Sequence, residues 1–340
     1  MLNKFILILS PFLFASCVSL STIEIQVLEP ASEPLVPEIS SAILLNRTII
    51  DEEEQEKYED SHFPHNDIAL FNKASTEIVF ALADILNESP GMDLIDEDQL
   101  LEISEDKLVR DPEPLEAEFI VYICDSLNTN AVLSLEFLSM ELPDEIKLTR
   151  RSSENYTRDF YTGEISLKIN ALWRAYRRYD GGIQDEHLWL DTLVWQHASF
   201  IANEIPDYLP RPEEATMEGA YYTALSYARR ISPYWIVQER NYFSRGNLKL
   251  RRASDFIRSD QFENAEKIYE DLLERRNKNV VAAAAFNLAF INEIRGDYRQ
   301  ALLWARRSYK YHRHSVTADY IEILEERFEK SAELDEQLGR

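Results

Sequence analysis

The chain has 340 residues, 45% of them hydrophobic and 11% aromatic, with 17 tyrosines, which is enough apolar surface for folded cores and excludes a disordered chain. Its net charge is −25, and the excess is uneven: 28 acidic against 6 basic residues up to Met140, then 33 against 30 from Glu141 onward. An acidic first half excludes a nucleic-acid surface, because phosphate binding needs a concentrated positive field, and the asymmetry predicts two domains of different character.

The chain opens with Lys4, an apolar run from Phe5 to Phe14 broken at Pro11, and the small residues Ala15 and Ser16 before Cys17. One positive charge, a short hydrophobic stretch and small residues at its end are the marks of a secretory signal. The run is well short of the roughly 18–20 apolar residues that a spanning helix needs. Leu13-Phe14-Ala15-Ser16-Cys17 resembles the lipobox of bacterial lipoproteins, with Phe14 where leucine is usual. The resemblance implies cleavage after Ser16, lipid on Cys17 and an envelope membrane as the first partner. Several acyl chains on one cysteine make a lasting anchor where a single chain does not. Val18, in place of an inner-membrane retention aspartate, favours the outer membrane, and the absence of acids directly after Cys17 favours a periplasm-facing protein. With Cys17 acylated, Cys124 has no partner in the chain and no disulfide is expected; its apolar setting, Phe119–Cys124, predicts an inert core thiol.

Residues 17–22 are expected to be a short tether, followed by an α/β domain over 23–200, a helical connector over 201–246 and a helical repeat over 247–340. Ile23–Leu28 alternates as a strand, Pro30, Pro34 and Pro37 punctuate a loop, and Ala42–Leu45 is a second strand. The run Asp51–Asp60 reads as a solvated acidic loop. Apolar residues between Asn66 and Asn87 recur at helical spacing until Ser89-Pro90-Gly91 ends them. Met92–Ile95 is read as a third strand, Asp96–Ile103 as a short helix and Leu115–Leu127 as a longer one. Between residues 130 and 196 the period becomes two, and the Asp180-Gly181-Gly182 turn predicts a hairpin, so the segment reads as an antiparallel meander completing a mixed sheet begun by the earlier strands. Arg211-Pro212-Glu213-Glu214 starts a helix through Arg230, and Ser232-Pro233 opens a connecting segment to Gly246.

Over Leu248–Tyr309 one pattern occurs twice. Ala253, Phe256, Ala265 and Tyr269 occupy helix-packing positions in the first unit; Leu288, Ala289, Gly296, Tyr298, Ala301 and Ala305 occupy them in the second. The pattern resembles the tetratricopeptide repeat, in which small residues stand where paired helices touch. It lacks the terminal proline, and the step from Ala265 to Ala301 is 36 residues where the family period is 34. Ala318–Leu338 is expected to cap the stack. The fold class expected is α+β: a mixed sheet with an antiparallel meander, then an all-α repeat.

Chemical motifs are few. Eight glycines form no phosphate-cradling loop, and no nucleophile elbow or H-E-x-x-H helix is present. His62 and His65, between Asp60 and Asp67, lack the second anchored pair a metal site needs, so no metal, cofactor or catalytic residue is assigned. The arginines 174, 177, 178, 229, 230, 251 and 252 read as solvated faces. Val27-Leu28-Glu29-Pro30 and Ala42-Ile-Leu-Leu-Asn46-Arg47, with the lipobox and the repeat, resemble a family of Gram-negative envelope lipoproteins of uncharacterised activity. The first half is also similar to α/β domains of envelope proteins such as the N-terminal domain of TolB. The expected function is a non-enzymatic adaptor that binds a protein or peptide in the groove of the repeat; the alternative is a hydrolase of glycan or peptidoglycan using carboxylates of the first domain. Oligomeric state is left open.

Overall fold

The computed structural model describes residues 19–50, 67–94, 101–102, 111–143, 145–151 and 159–340. The expectations for Cys17, the acidic run 51–60, His62 and His65 lie outside the described residues. The protein is mixed α+β and divides into two units: residues 28–235 with 334–340, and residues 236–333 with the segment up to Val27.

The first unit is built on a sheet in which β2 (Ser41–Asn46) runs parallel to β5 (Ala131–Glu141) and to the two-residue strands β3 (Asp93–Leu94) and β4 (Leu101–Glu102). β5 pairs antiparallel with β7 (Phe160–Arg177), which also carries β6 (Lys147–Arg151) and the 17-residue β8 (Ile183–Ser199). β7 and β8 form the hairpin expected around Asp180-Gly181-Gly182. Gly181 has φ +66°, and Asp180 accepts a hydrogen bond from the Gly182 amide at 2.9 Å, closing the turn. On one face of the sheet lie α1 (Ile68–Asn87) and α3 (Pro212–Ile231), and on the other α2 (Ala117–Leu127). Helix α1 starts where the Asp67 side chain caps the Leu70 amide. Helix α3 presents Ala215, Gly219, Ala220, Ala224 and Ala228 inward, so its backbone approaches closely, and Trp173 stacks on Tyr227 at 4.6 Å.

The second unit contains α4 (Leu248–Ile257), α5 (Phe262–Leu272), α6 (Lys278–Ile294), α7 (Tyr298–Tyr311) and most of α8 (Ser315–Gln337). The first four form two helical hairpins and α8 follows, consistent with a helical repeat. Ala253, Ala265, Tyr269, Leu288, Ala289, Ala301 and Ala305 are all buried, while Phe256 and Tyr298 are half-buried against the same core. Gly296 takes φ +75° at the end of α6. The unit also contains most of a two-stranded sheet of β1 (Leu20–Glu29) and β9 (Tyr234–Phe243).

Four expectations are corrected. The tether 17–22 is strand from Leu20 onward, and β1 is not part of the large sheet; its alternation defined an apolar face, Ile23, Ile25 and Val27, without naming the surface that face covers. The segment after Ser232-Pro233 is not a connector but β9. Its inward positions include Gln238 and Arg240, which broke the hydrophobic signal. Residues 201–246 are therefore no helical connector: a 3-10 turn at Ala202–Tyr208 packs Ile205 into the sheet core, α3 completes that core, and β9 follows. Leu101–Glu102, placed in a short helix, is strand beside β2.

Replacing Gly181 with alanine should be far more damaging than replacing Gly296. Both adopt positive φ, which costs an L-residue roughly 1–2 kcal/mol. A Cβ at Gly181 would also sit 2.4 Å from the Ala117 backbone, whereas one at Gly296 meets nothing within 4 Å. Denaturant unfolding should give a loss of about 1 kcal/mol for Gly296→Ala and at least twice that for Gly181→Ala. Equal losses would contradict this packing.

Candidate functional site

Three places in the fold concentrate polar chemistry or exposed apolar surface. The first is a buried cluster on the α2 side of the sheet. Arg47 follows β2, Glu136 lies on β5, and Arg174 and Tyr176 lie on β7; strand alternation puts all four on one face. The Glu136 carboxylate pairs with the Arg47 guanidinium, accepts from the Tyr176 hydroxyl at 2.9 Å and lies 3.7 Å from Arg174 Nη1. Arg174 also holds Glu186 at 2.6 Å, Asp111 at 3.1 Å and the Pro112 carbonyl at 2.6 Å. Arg47 donates to the Glu113 carbonyl, and the Leu115 amide donates to the Tyr176 oxygen. Burial, reinforced by Glu136, pushes the Tyr176 phenol up to about 12, so it remains a hydrogen-bond donor at neutral pH. Every polar side chain here faces another, and the cluster ties the segment 111–115 to three strands. It is a brace. Glu164, on the exposed part of β7, accepts from Gln196 and pairs with Lys147, and these partners hold its carboxyl below the usual carboxylate range.

The sequence reading of the arginines as solvated faces is thus corrected at Arg174, which is 3% exposed. Arg178 pairs with Asp125, Arg177 with Asp180 and Arg230 with Asp185. Arg229 lies over the Tyr234 ring and Arg252 over Phe256. Beside the β7–β8 turn, Arg177, Arg178, Tyr179 and Asp125 line a shallow cavity of about 510 Å³, its cations already paired within the unit.

The second place is the face shared by α4 and α6, the first helices of the two pairs, where an open groove was expected. It is occupied by β9. The Asn287 side chain on α6 accepts from the Phe243 amide at 2.8 Å and donates to the Phe243 carbonyl at 2.7 Å. Tyr242 bonds Ser254 of α4, and Phe243 packs edge-on against Phe286. Six residues along α6, Arg240 donates to Glu293 at 2.8 Å, whose other oxygen accepts from Tyr320 of α8 at 2.6 Å. The groove is filled because α6 carries Phe286, Asn287 and Phe290 where a peptide would lie, and the chain supplies the strand that satisfies them.

The third place is β8. Among the described residues it pairs with β7 only, so one edge of a 17-residue strand is open. Alternate positions Leu188, Leu190 and Val194 are 40%, 54% and 51% exposed. Nothing in the sequence reading singled this strand out, because its other face, with Trp189, Leu193 and Trp195 against the core, accounts for its alternation.

Cys124 is fully buried, and burial raises its thiol to about 11, which suppresses the thiolate. The His312 and His314 rings lie 4.1 Å apart, tilted by 50°, and burial with the neighbouring ring lowers the pKa of His314. Among the described residues no three histidine, cysteine or acidic side chains gather as metal ligands, and no helix is long and apolar enough to cross a membrane.

The family model of a domain of unknown function, DUF8603, matches residues 39–243, and the chain belongs to that family. A second, DUF6340, also a domain of unknown function, matches residues 251–326. Among solved structures, a neuraminyllactose-binding hemagglutinin homolog from Helicobacter pylori is similar at 10% identity and a TM-score of 0.28, over 59% of this chain and 88% of that one. The hypothetical protein CT253 from Chlamydia trachomatis is similar at 12% identity and a TM-score of 0.20, over 56% and 94%. No curated protein matches the sequence.

If the Glu136 cluster is a brace, Arg47→Met should destabilise the sheet unit by about 3–5 kcal/mol, because it leaves a buried carboxylate short of its counter-charge. The double variant Arg47→Met, Glu136→Leu should recover much of that loss in urea unfolding. A double variant as unstable as the two single losses added together would contradict the coupling.

Proposed function

We propose that this member of the DUF8603 family is a lipid-anchored adaptor of the bacterial cell envelope, facing the periplasm from the outer membrane, without catalytic chemistry of its own. Cys17 supplies the anchor. The partner is a protein or peptide segment taken in extended form. The observation that carries this reading is the open edge of β8. An exposed strand edge is a template for another strand, and natural proteins usually blunt such edges with charge, proline or a covering element. Between Leu188 and Gln196 the only charged residue of β8 is Asp191, and Leu188, Leu190 and Val194 stand half-exposed along it. Main-chain hydrogen bonds from an added strand supply affinity, and alternate side chains supply selectivity.

In this reading the helical repeat acts differently from a free peptide groove: it holds the chain's own β9, and recruitment falls to the sheet. Tethering confines the search to the membrane surface and raises the effective concentration, so a modest contact suffices. The hydrolase alternative gains no support from Glu136, whose carboxylate is committed to Arg47, Arg174 and Tyr176.

Two variants test the proposal separately. Cys17→Ser should move the protein from the salt-washed membrane fraction to the soluble periplasmic fraction without changing its unfolding midpoint; full retention in membranes washed at high salt, which screens headgroup contacts, would refute the anchor. A photo-crosslinking residue at position 190 should yield a discrete adduct in intact envelopes. Adding Leu188→Lys and Val194→Lys, which removes up to about 1 kcal/mol of further apolar burial at each site, should reduce that adduct about tenfold. An adduct that survives both lysines would place the contact elsewhere.

A further inference from the structure

The second unit contains a cavity of about 290 Å³ between the first residues of β1, the end of β9 and helix α4. Its hydroxyls come from Ser21, Ser244 and Ser254. Ser244 and Ser254 are 3% and 1% exposed, and Ser21 Oγ donates to Ser244 Oγ at 2.7 Å. Its charges are Arg245, Arg251 and Arg258, with Asp255 beside them. Arg251, Ser254 and Arg258 recur at spacings of three and four along α4 and so share one face of the helix.

The charge balance at this place runs against the rest of the molecule. The chain carries −25, yet residues 245–258 hold five basic residues and one acidic residue. Arg258 is paired with Asp255 and reaches Ser254 Oγ at 3.5 Å. Arg245 and Arg251 have no ion pair among the described residues, although acidic side chains outnumber basic ones by 61 to 36 in the chain. Two guanidinium groups held around one concavity repel each other unless an anion lies between them. The serine hydroxyls are bonded within the unit, Ser244 Oγ donating to the Ser19 carbonyl at 3.4 Å and Ser254 Oγ meeting Tyr242 at 3.2 Å, so the guanidinium forks are what match the oxygens of a phosphate group, which accepts several charge-assisted hydrogen bonds at once. The volume lies at the lower edge of the roughly 300–1,000 Å³ typical of small-molecule sites, which suits a headgroup-sized ligand.

We propose that this cavity binds a phosphate-bearing anion, with Arg245 and Arg251 as its principal ligands and the buried serine hydroxyls as its floor. Such a phosphate has two possible sources, a phospholipid headgroup or a soluble phosphate. Ser21 is four residues from Cys17, a span of at most about 14 Å of extended chain, so a lipid on Cys17 brings the cavity within reach of membrane headgroups. The lipid source rests on that anchoring; the phosphate site does not.

The test uses the full mature chain carrying Cys17→Ser, so that no lipid tether contributes. Binding is measured by calorimetry with inorganic phosphate and by co-sedimentation with phosphatidylcholine vesicles, with and without phosphatidylglycerol. Arg245→Ala with Arg251→Ala should weaken binding more than about tenfold. Arg252→Ala removes the same charge from another face of α4, over Phe256, and should have little effect. Phosphate binding without vesicle binding identifies the soluble source; vesicle binding that requires phosphatidylglycerol identifies the headgroup. No binding of either probe, or equal loss from Arg252→Ala, overturns the site. All three arginines are exposed, and unchanged circular dichroism excludes unfolding as the cause.

Discussion

The second unit depends on one buried side chain. Asn287 lies in the middle of α6 with no access to water, so its carbonyl and its amide both require partners. Both are found on a single residue, Phe243, whose backbone N–H and C=O it bonds together. An asparagine that reads one peptide unit in this way fixes the position of a strand across the helix, and the aromatic residues on either side pack according to that placement. Phe243 meets Phe286 at 5.1 Å and Tyr242 lies over Phe290 at 6.1 Å. Arg240 then reaches Glu293, which Tyr320 holds from α8. The result is a helix, α6, buried on every side over most of its length, a state that a repeat helix facing an open groove would not reach.

The sheet unit solves a different problem. β7 is 18 residues long and supports three other strands, so the sheet extends beyond the area its helices cover. Near α2 the uncovered polar positions are closed by the Arg47–Glu136–Arg174 brace and the segment 111–115. On β8 no such closure is present among the described residues, and aliphatic side chains stand in solvent beside an open edge. That contrast within one sheet is the basis of the strand-edge binding proposed for β8.

Local signals carried most of the elements. The alanines of α5–α7 were legible because only small residues allow two helices to cross closely, and Asp-Gly-Gly marked its hairpin because positive φ favours glycine. Non-local facts were hidden. β1 and β9 pair across more than 200 residues, and neither pattern names the other. Gln238 and Arg240 face inward, so β9 failed the apolar-alternation test although the strand is well formed. Arg174 read as a surface charge because Glu136 and Asp111, its counter-charges, lie on other elements. Parity pointed the wrong way: Arg174 shares its face of β7 with Glu164, Ser166, Lys168 and Asn170, and only Leu172 and Tyr176 on either side of it break that polar row. The open edge of β8 was not legible at all, because alternation identifies the buried face and leaves the strand's unpaired side undetermined.

The central claim is that β9 is an integral part of the repeat rather than a removable occupant of its groove. Amide hydrogen exchange on the intact protein tests this most directly at Phe243. The account predicts that the Phe243 amide exchanges as slowly as the amides of α6, because its release requires breaking the Asn287 pair and opening the core around Phe286. Exchange at the rate of an exposed loop, while α6 stays protected, would show that the strand leaves the groove freely, and would contradict it.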